Sequence, residues 1–582
     1  MRTFKRMVSC LQHEPDYVTN TYMEAGQYLV GSVNVKLPHN PKYFYKEKGS
    51  DSFCLISGEI YNYLELLDIL TTYKISKTSG IDNDAELLFM LYRELGEDFL
   101  RDLNGWFSLF INDSREKKLI LANDRFGMNP LYVYRDDKTF IFSPEVKAIL
   151  EHHDMELSLD NESICDFIVL GCILDNKTFI KNIFRLPGSS KCVFSNGDCK
   201  ISKYWNWDEY QHQPKLPETT FFEKSSEVFK KVIPRYFRHN SSTVLSLTGG
   251  IDTRTILSDL TPDLYPSITA TYGWNKNNAD NIVATKLSRE YGIPHHFIYT
   301  TAEAFSLEFM NKIVFLCDGM ANLNTFVLPF FFSDGFRQHY KNKIVVQGKL
   351  GTQLIHNARA ALDLKYNRVE ERMSVLSPEL KAHYVPKDVY KDNFLIGAIE
   401  AECRSYWFCN IAVENTMMVN RTPYFDNDLI ALLFQRPNGF EMQKIQEHFI
   451  KSHSDALASI PTNRGLLLKN GNIHDRLLSL KLKLSWLLAF FGNSRHLPPL
   501  LQINRLPLPD NPILYPRVLS NHIYYNRDVK EFILDKKTLG RDIFIPSKIK
   551  KMVGVHFHGW KDHRKEIARI LILELFIRRF FE

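Results

Sequence analysis

The sequence predicts two differently built parts: an α+β part over roughly the first two hundred residues, then an α/β part with a parallel sheet. The first part contains many short strand-like segments between turn residues. The second part alternates strand and helix patterns, beginning at residues 244–257, where an apolar run passes through a glycine turn into helical spacing. Antiparallel sheets flanked by helices suit the first pattern, and a parallel sheet suits the second.

Within the first part, the residue pattern predicts individual elements. Strands are predicted at 27–35, 53–57, 105–112, 118–122, 131–134 and 139–143, and helices at 61–70 and 84–95. Residues 211–217 form the predicted linker to the second part. There, strands are predicted at 267–273 and 343–348, with a helix from residue 280 to the glycine at 292.

Composition limits the class of protein. The chain has 582 residues, 44% hydrophobic and 24% charged, with a net charge of +6, which is mild for this length and does not indicate nucleic-acid binding. Its nine cysteines include no CxxC pair, which favours a reducing compartment. No segment reaches the roughly 20 apolar residues that span a bilayer, so we expect no transmembrane segment and a cytoplasmic protein.

The turn after the predicted strand at 244–247 carries the chemistry. Gly249 and Gly250 let the backbone approach a bound group, and the hydroxyls of Thr248 and Thr253 can donate to an anion. Asp252 can hold a hard cation against phosphate oxygens, whereas the lysine of the usual P-loop is missing. An ordinary strand-to-helix turn also uses glycine and aspartate, so the motif alone is weak.

This turn resembles the SGGxDS loop of the N-type ATP pyrophosphatases, which split ATP into AMP and pyrophosphate. Thr248 and Thr253 then stand for the two serines. The resemblance implies ATP and Mg²⁺ as cofactors, with Asp252 as metal ligand. It implies a nucleotide site made of Leu247, Thr248, Gly249, Gly250, Asp252, Thr253, Tyr272, Gly273, Gln347 and Gly348.

Four blocks in the first part, at 57–63, 83–88, 124–132 and 142–148, resemble in their order the class II glutaminase domain of asparagine synthetase. The resemblance extends to residues 420–429, which are similar to the RxPFLDxxL block of that family. It implies an Ntn-type αββα sandwich over residues 1–208. It implies an adenine nucleotide alpha hydrolase-like PP-loop domain with helical additions over residues 218–582.

The glutaminase positions depart from that family. The family nucleophile is an N-terminal Cys, and Arg2 stands there; Cys10 is the nearest alternative and has no free α-amine beside it. The oxyanion-hole Asn is replaced by the shorter Ser57. We therefore expect a glutaminase domain that is inactive. The resemblance assigns its vestigial glutamine site to Ser57, Gly58, Glu59 and Asp84.

The ligase positions depart as well. Lys349 and Thr352 stand where the SGEGADE block of the family has acidic residues. Lys349 could replace part of the role of a metal ion beside the phosphates, so it is predicted as catalytic with Asp252. Arg464 lies where the family has a Lys-bearing loop that steadies pyrophosphate, and it is the third catalytic candidate.

The predicted function is an ATP-dependent ligase that adenylates a carboxylate and transfers it to an amine or ammonia. Two alternatives stay open: a genuine asparagine synthetase, and a catalytically dead scaffold. We expect a small-molecule, peptide or saccharide carboxylate as partner, with a homodimer as an open possibility. The basic, apolar stretches at 477–491 and 567–581 are predicted to be core helices, with adhesion to a membrane surface as the alternative.

Overall fold

The N-terminal part is built on antiparallel sheets. The computed structural model describes residues 1–582 except 25–27, 40, 73–80, 82, 153–154, 196–197, 274, 300–305, 321–333, 352–353, 355–368, 388, 390–392, 442, 493–525 and 559. The first eleven strands are β1 (Val18–Glu24), β2 (Tyr28–Asn34), β3 (Phe44–Lys46), β4 (Phe53–Ile60), β5 (Gly105–Asp113), β6 (Lys118–Asn123), β7 (Tyr132–Arg135), β8 (Phe140–Ser143), β9 (Ile183–Arg185), β10 (Ser190–Ser195) and β11 (Asp198–Lys203). The helices among them are α1 (Arg2–Cys10), α2 (Tyr63–Thr72), α3 (Asp84–Leu95), α4 (Val146–Ile149) and α5 (Asn161–Leu170).

These strands form three sheets. The largest has six strands in the order β11-β10-β6-β5-β4-β3, beside a three-stranded sheet β8-β7-β9 and the hairpin β1-β2. All pairings are antiparallel. Apolar side chains that include Leu55, Phe110, Leu121 and Val133 pack together between strands of the six-stranded and three-stranded sheets. The α+β class predicted for this part is confirmed.

The C-terminal part contains a five-stranded parallel sheet. Its strands are β12 (Thr243–Ser246), β13 (Ile268–Gly273), β14 (His295–Tyr299), β15 (Ile344–Val346) and β16 (Val419–Arg421), in the order β14-β13-β12-β15-β16. β12 is central, with Val244 paired to Ile268 on one side and to Val345 on the other. The predicted parallel α/β sheet is confirmed.

Helices surround this sheet. They are α6 (Asp208–Gln211), α7 (Glu218–Arg235), α8 (Asp252–Ser258), α9 (Ala279–Glu290), α10 (Leu307–Leu316), α11 (Asp334–Tyr340), α12 (Val369–Met373), α13 (Pro378–Lys381), α14 (Phe394–Gly397), α15 (Phe408–Asn415), α16 (Asn427–Phe434), α17 (Gln443–His453), α18 (Asp455–Ser459), α19 (Ile473–Gly492), α20 (Arg527–Ile533), α21 (Lys536–Leu539), α22 (Pro546–Phe557) and α23 (Arg564–Phe580). A π-helix, Ala398–Trp407, joins α14 to α15. Within the described ranges, none of the helices combines the length and apolar composition that a membrane crossing requires.

The two C-terminal stretches predicted to be core helices behave differently. α23 is buried along most of its length, as predicted. α19 is not a core helix, because Leu477, Leu480 and Leu484 on one of its faces are each more than half exposed. The sequence pattern could not separate the two, since both stretches are apolar and basic throughout.

Candidate functional site

The glycine loop, residues 247–251, links the carboxyl end of β12 to α8. Thr253 accepts a hydrogen bond at Oγ1 from the N–H of Thr248 (3.2 Å), and the N–H of Gly250 donates to Oγ1 of Thr248 (3.3 Å). Leu247 is fully buried. The two hydroxyls, 3.5 Å apart, are therefore gathered with the loop amides within a single turn.

The loop after β15 meets the glycine loop. β12 connects onward to β13 on one side and has β15 on its other side, so the strand order reverses beside β12; parallel sheets bind ligands at such a reversal. A Cβ on Gly348 would lie 2.8 Å from Cβ of Asp252, and one on Gly351 would lie 3.1 Å from its carboxyl carbon. Only glycine allows this close approach, which places the second loop directly against Asp252.

Asp252 is held by groups that sequence reasoning did not single out. Nε2 of Gln446 donates to its Oδ1 (2.8 Å), and the hydroxyl of Tyr424 donates to its backbone oxygen (2.8 Å). Gln446 also donates to the Tyr424 hydroxyl (2.7 Å). The carboxylate is thus fixed in orientation at the start of α8.

A third segment, residues 462–465, completes the site. The N–H of Asn463 donates to the carbonyl oxygen of Gly249 (3.0 Å), and its side-chain amide donates to Oδ1 of Asp280 (2.9 Å). Oδ1 of Asp280 also accepts from the N–H of Gly249 (2.9 Å). Burial raises the pKa of Asp280, and the charge of Arg464 opposes that rise. The structure therefore brings Arg464 and Asp280 to the glycine loop, although Asp280 was not predicted as a site residue.

Arg254 is a further residue that the sequence did not single out. It is fully buried, and in the described part of the chain its guanidinium donates to carbonyl oxygens only. One is that of Gly249 (3.4 Å), and the others lie 2.5–3.0 Å away on Leu457, Ile460 and Pro461. Burial lowers its pKa to about 9. Arg254 therefore links residues 457–461, which lead into the 462–465 segment, to Gly249 in the glycine loop.

Lys349 is placed beside a buried carboxylate. Its ammonium forms an ion pair with Glu414, whose side chain is fully buried. Nε2 of Gln347 also points to Glu414 (3.4 Å) and donates to the side chain of Asn420. Glu414 thus supplies a negative charge next to the position where the resemblance led us to expect one. Thr352 and Gln353 lie outside the described residues.

Tyr272 and Gly273 end β13, the strand beside β12. Burial raises the pKa of Tyr272 well above its ordinary value. A Cβ on Gly273 would lie 2.6 Å from the side-chain amide of Asn278, which caps α9. These two residues lie on the same edge of the sheet as the glycine loop.

Of the residues predicted to form a vestigial glutamine site, Ser57, Gly58 and Glu59 lie near the end of β4, and Asp84 begins α3. Oγ of Ser57 donates to Oδ1 of Asn34 (3.3 Å). Gly58 has φ +98°, and a Cβ there would lie 2.1 Å from the carbonyl oxygen of Trp106. The backbone at this position therefore requires glycine. A cavity of about 170 Å³ borders Ser57 and Glu59, and a larger one of about 710 Å³ borders Ser57 on another side.

Both acidic residues of this cluster are paired with arginines from the C-terminal part. Glu59 receives two hydrogen bonds of 2.8 Å from Arg421, and Asp84 receives one of 2.9 Å from Arg238. Burial would raise the pKa of Glu59, but the Arg421 guanidinium outweighs it and lowers that pKa below its ordinary value. Both carboxylates are therefore already paired with a guanidinium group.

Cys10 is the last residue of α1 and donates from Sγ to the carbonyl oxygen of Met7 (3.1 Å). Burial raises the pKa of its thiol to about 12. A thiol with that pKa stays protonated at neutral pH and is a poor nucleophile. Arg2 lies at the exposed start of the same helix.

Metal-binding side chains are not clustered in the part of the chain that the structure describes. The described residues contain no group of three or more His, Cys, Asp or Glu side chains placed to hold a metal ion. Mg²⁺ does not need such a group, because it is commonly held by one or two carboxylates together with phosphate oxygens and water. The donor set of Asp252 with a bound phosphate fits that pattern.

The chain is similar to known proteins in two ways. Residues 39–205 match the model of the glutamine amidotransferase domain. The chain is 26% identical over 273 residues to putative asparagine synthetase [glutamine-hydrolyzing] 2 of Methanocaldococcus jannaschii, covering 46% of this chain and 52% of that protein. It is 23% identical over 427 residues to putative asparagine synthetase [glutamine-hydrolyzing] 1 of the same organism, covering 72% and 70%. The chain is therefore similar to proteins named as glutamine-hydrolysing asparagine synthetases, over up to 72% of its length.

The match is partial along the length of other relatives in the asparagine synthetase family. Asparagine synthetase [glutamine-hydrolyzing] 3 of Bacillus subtilis is 28% identical over 212 residues, which is 36% of this chain and 34% of that protein. The chain thus spans about half or less of the first relatives it matches. A solved glutamine phosphoribosylpyrophosphate amidotransferase from B. subtilis, complexed with ADP and GMP, overlaps with a TM-score of only 0.21 at 12% identity, covering 46% and 51%.

Proposed function

We propose that the chain is an ATP-dependent, AMP-forming carbon-nitrogen ligase that works without its own glutaminase. The proposal assigns residues 1–208 to an inactive glutaminase-like domain of Ntn type and residues 218–582 to a PP-loop ligase domain. The observation that carries it is the convergence of three segments on Asp252 and the glycine loop where the strand order reverses.

The proposed reaction has two steps. An oxygen of the substrate carboxylate attacks the α-phosphorus of ATP, and the bond to the β-phosphate oxygen breaks, giving an acyl-adenylate and pyrophosphate. An amine or ammonia then attacks the acyl carbon, AMP leaves, and the amine loses a proton. Mg²⁺ would offset charge on the departing pyrophosphate.

The residues of the chain take separate roles in this proposal. The hydroxyls of Thr248 and Thr253 bind the β- and γ-phosphates, in a loop whose glycine amides are held by Asp280 and Thr248. Asp252, whose carboxylate is oriented by Gln446, would hold Mg²⁺. Arg464 contributes positive charge to the leaving pyrophosphate from the 462–465 segment.

The effect of replacing Lys349 distinguishes a working ligase from a catalytically dead scaffold. The ion pair of Lys349 with Glu414 would steady the β15 loop in either case, but only in a ligase does the lysine charge stabilise the leaving group. We expect Lys349→Ala to lower acid-dependent pyrophosphate release by about 100-fold, the usual loss for one aligned donor. The measurement is a pyrophosphate assay across a panel of small-molecule, peptide and saccharide carboxylic acids.

The paired carboxylate needs a control, because Lys349→Ala alone leaves Glu414 buried without its partner. The double variant Lys349→Met/Glu414→Gln removes both charges together, and its thermal unfolding reports whether the fold is retained. A folded double variant with wild-type activity would rule out a catalytic role for Lys349. No activity of the wild type with any acid would favour the scaffold.

We further expect that the purified protein releases no glutamate from glutamine. The carboxylates of Glu59 and Asp84 are occupied by arginines, and the Cys10 thiol stays protonated at neutral pH. A coupled glutamate assay at pH 7.5 checks this, with Cys10→Ala as the control. Glutamate release by the wild type that disappears in Cys10→Ala would contradict it.

A further inference from the structure

The exposed face of α19 is an apolar stripe. Its five members are large and well exposed: Ile473 (70%), Leu477 (62%), Leu480 (56%), Leu484 (52%) and Leu487 (43%). They follow one another at spacings of four, three, four and three residues, which is the spacing of the a and d positions of a heptad. Soluble proteins rarely expose a contiguous row of this kind without a binding role.

The positions that flank the stripe are basic. In the heptad register that the leucines set, the e positions are His474 and Lys481, and the g positions are Arg476 and Lys483. All four are exposed. Among these described flanking positions there is no acidic residue, so a partner lying along the stripe meets positive charge on both sides.

The opposite face of α19 is anchored to the body of the protein. Asp475 forms an ion pair with Lys286 (2.7 Å), and Oγ of Ser479 donates to the carbonyl oxygen of Gly465 (2.6 Å). Leu482, three residues beyond Ser479, is buried on the same face. The helix therefore cannot turn its exposed leucines inward without breaking these contacts.

We propose that the exposed face of α19 is a docking surface for an acidic amphipathic helix of a partner protein. A second copy of this chain fits poorly, because its own basic flanks would face those of the first. A bilayer surface fits less well than a helix, because helices that lie in a membrane interface present a broad apolar face, whereas this stripe is limited to the narrow a and d seam of a coiled coil. A partner helix with apolar a and d positions and Glu or Asp at e and g meets both the stripe and the charge.

The docking surface is connected to the candidate nucleotide site through the 462–465 segment. Gly465, the acceptor for Ser479, follows Arg464 in the segment that closes on the glycine loop. A helix bound to α19 would hold that segment against the site. This consequence rests on the proposed function, whereas the docking itself does not.

A designed peptide of three heptads tests the proposal, with Leu and Ile at a and d and Glu at e and g. Binding of the labelled peptide to the full chain is followed by fluorescence anisotropy at low and high salt. We expect saturable binding that weakens as salt rises, and no binding of a matched peptide with Lys at e and g. Equal binding of the two peptides would overturn the charge argument.

Paired variants locate the surface. We expect Lys481→Glu/Lys483→Glu and Leu480→Ser/Leu484→Ser each to weaken binding of the Glu peptide about tenfold or more. The matched control Lys548→Glu/Lys550→Glu changes the same charge on α22 and should bind as the wild type does. Binding unchanged in the α19 variants would overturn the proposal.

Two further measurements exclude the other occupants. Co-sedimentation of the chain with phosphatidylserine vesicles, abolished by Leu480→Ser/Leu484→Ser while the Glu peptide fails to bind, would assign the surface to membranes instead. A dimer in analytical ultracentrifugation that the same variant dissociates would assign it to a second copy. Peptide binding retained in Asp252→Asn shows that docking stands independently of the nucleotide site.

Discussion

Asp252→Asn is expected to weaken the binding of Mg²⁺-ATP about 100-fold, because the substitution removes the charge that holds the cation against the phosphates. The fold should tolerate the change. Asparagine keeps an Oδ1 acceptor for Gln446, and the bond from Tyr424 goes to the backbone oxygen. Isothermal titration calorimetry of the wild type and the variant, with Mg²⁺ present, gives the two affinities.

The control for that titration is Asp263→Asn, which removes the same charge from an exposed 3₁₀ turn after α8. It should leave the affinity unchanged. A second titration without Mg²⁺ should bring the wild type close to Asp252→Asn, since both then lack the bridging cation. If Asp252→Asn binds Mg²⁺-ATP as tightly as the wild type does, the assignment of the metal ligand is wrong.

Arg421→Ala is expected to lower the free energy of unfolding by about 3–5 kcal/mol, the usual cost of removing one partner of a buried ion pair. The Arg421 side chain is 4% exposed and donates to Glu59 and to the carbonyl oxygens of Tyr236 and Arg238. Its loss leaves the carboxylate of Glu59 without its counterion at the contact between the two parts. Urea denaturation followed by circular dichroism measures the change.

Arg238→Ala is the matched comparison, because it breaks the neighbouring pair with Asp84, whose side chains are 32% and 17% exposed. Pairs nearer to solvent contribute about 1 kcal/mol or less. A similar loss of unfolding free energy in both variants would show that the Glu59–Arg421 pair stabilises the fold no more than the Asp84–Arg238 pair does. Glutamine hydrolysis that appears in either variant would show that the arginines, and not the lack of an N-terminal Cys, prevent the reaction.

Much of the fold could be predicted from local pattern. The strand predicted at 105–112 is β5 (Gly105–Asp113), and the helix predicted at 84–95 is α3, because alternation, helical spacing and caps are encoded within a few neighbouring residues. Block order predicted the similarity to asparagine synthetases. Strand β1 and helix α1 were not predicted, whereas β2 corresponds to the strand predicted at 27–35.

The candidate site was predicted only where its residues are close in sequence. The glycine loop and Asp252 belong to one motif, but the groups that hold them come from far along the chain: Gln446, Asn463 and the carbonyls around Arg254. Glu414 is 65 residues from Lys349, and nothing in the pattern around it marks a buried carboxylate. Such pairs depend on how the elements fold back on each other, which one sequence read locally does not encode.

The identity of the nucleotide product tests the central claim most directly. The chain is incubated with Mg²⁺-ATP, an acid that is active in the pyrophosphate screen, and ammonia or an amine, and the nucleotides are separated by ion-exchange chromatography. A ligase of the proposed kind forms AMP and pyrophosphate in equal amounts, only when the acid is present, and Asp252→Asn forms neither. ADP and phosphate, or ATP cleavage that does not depend on any acid, would contradict it.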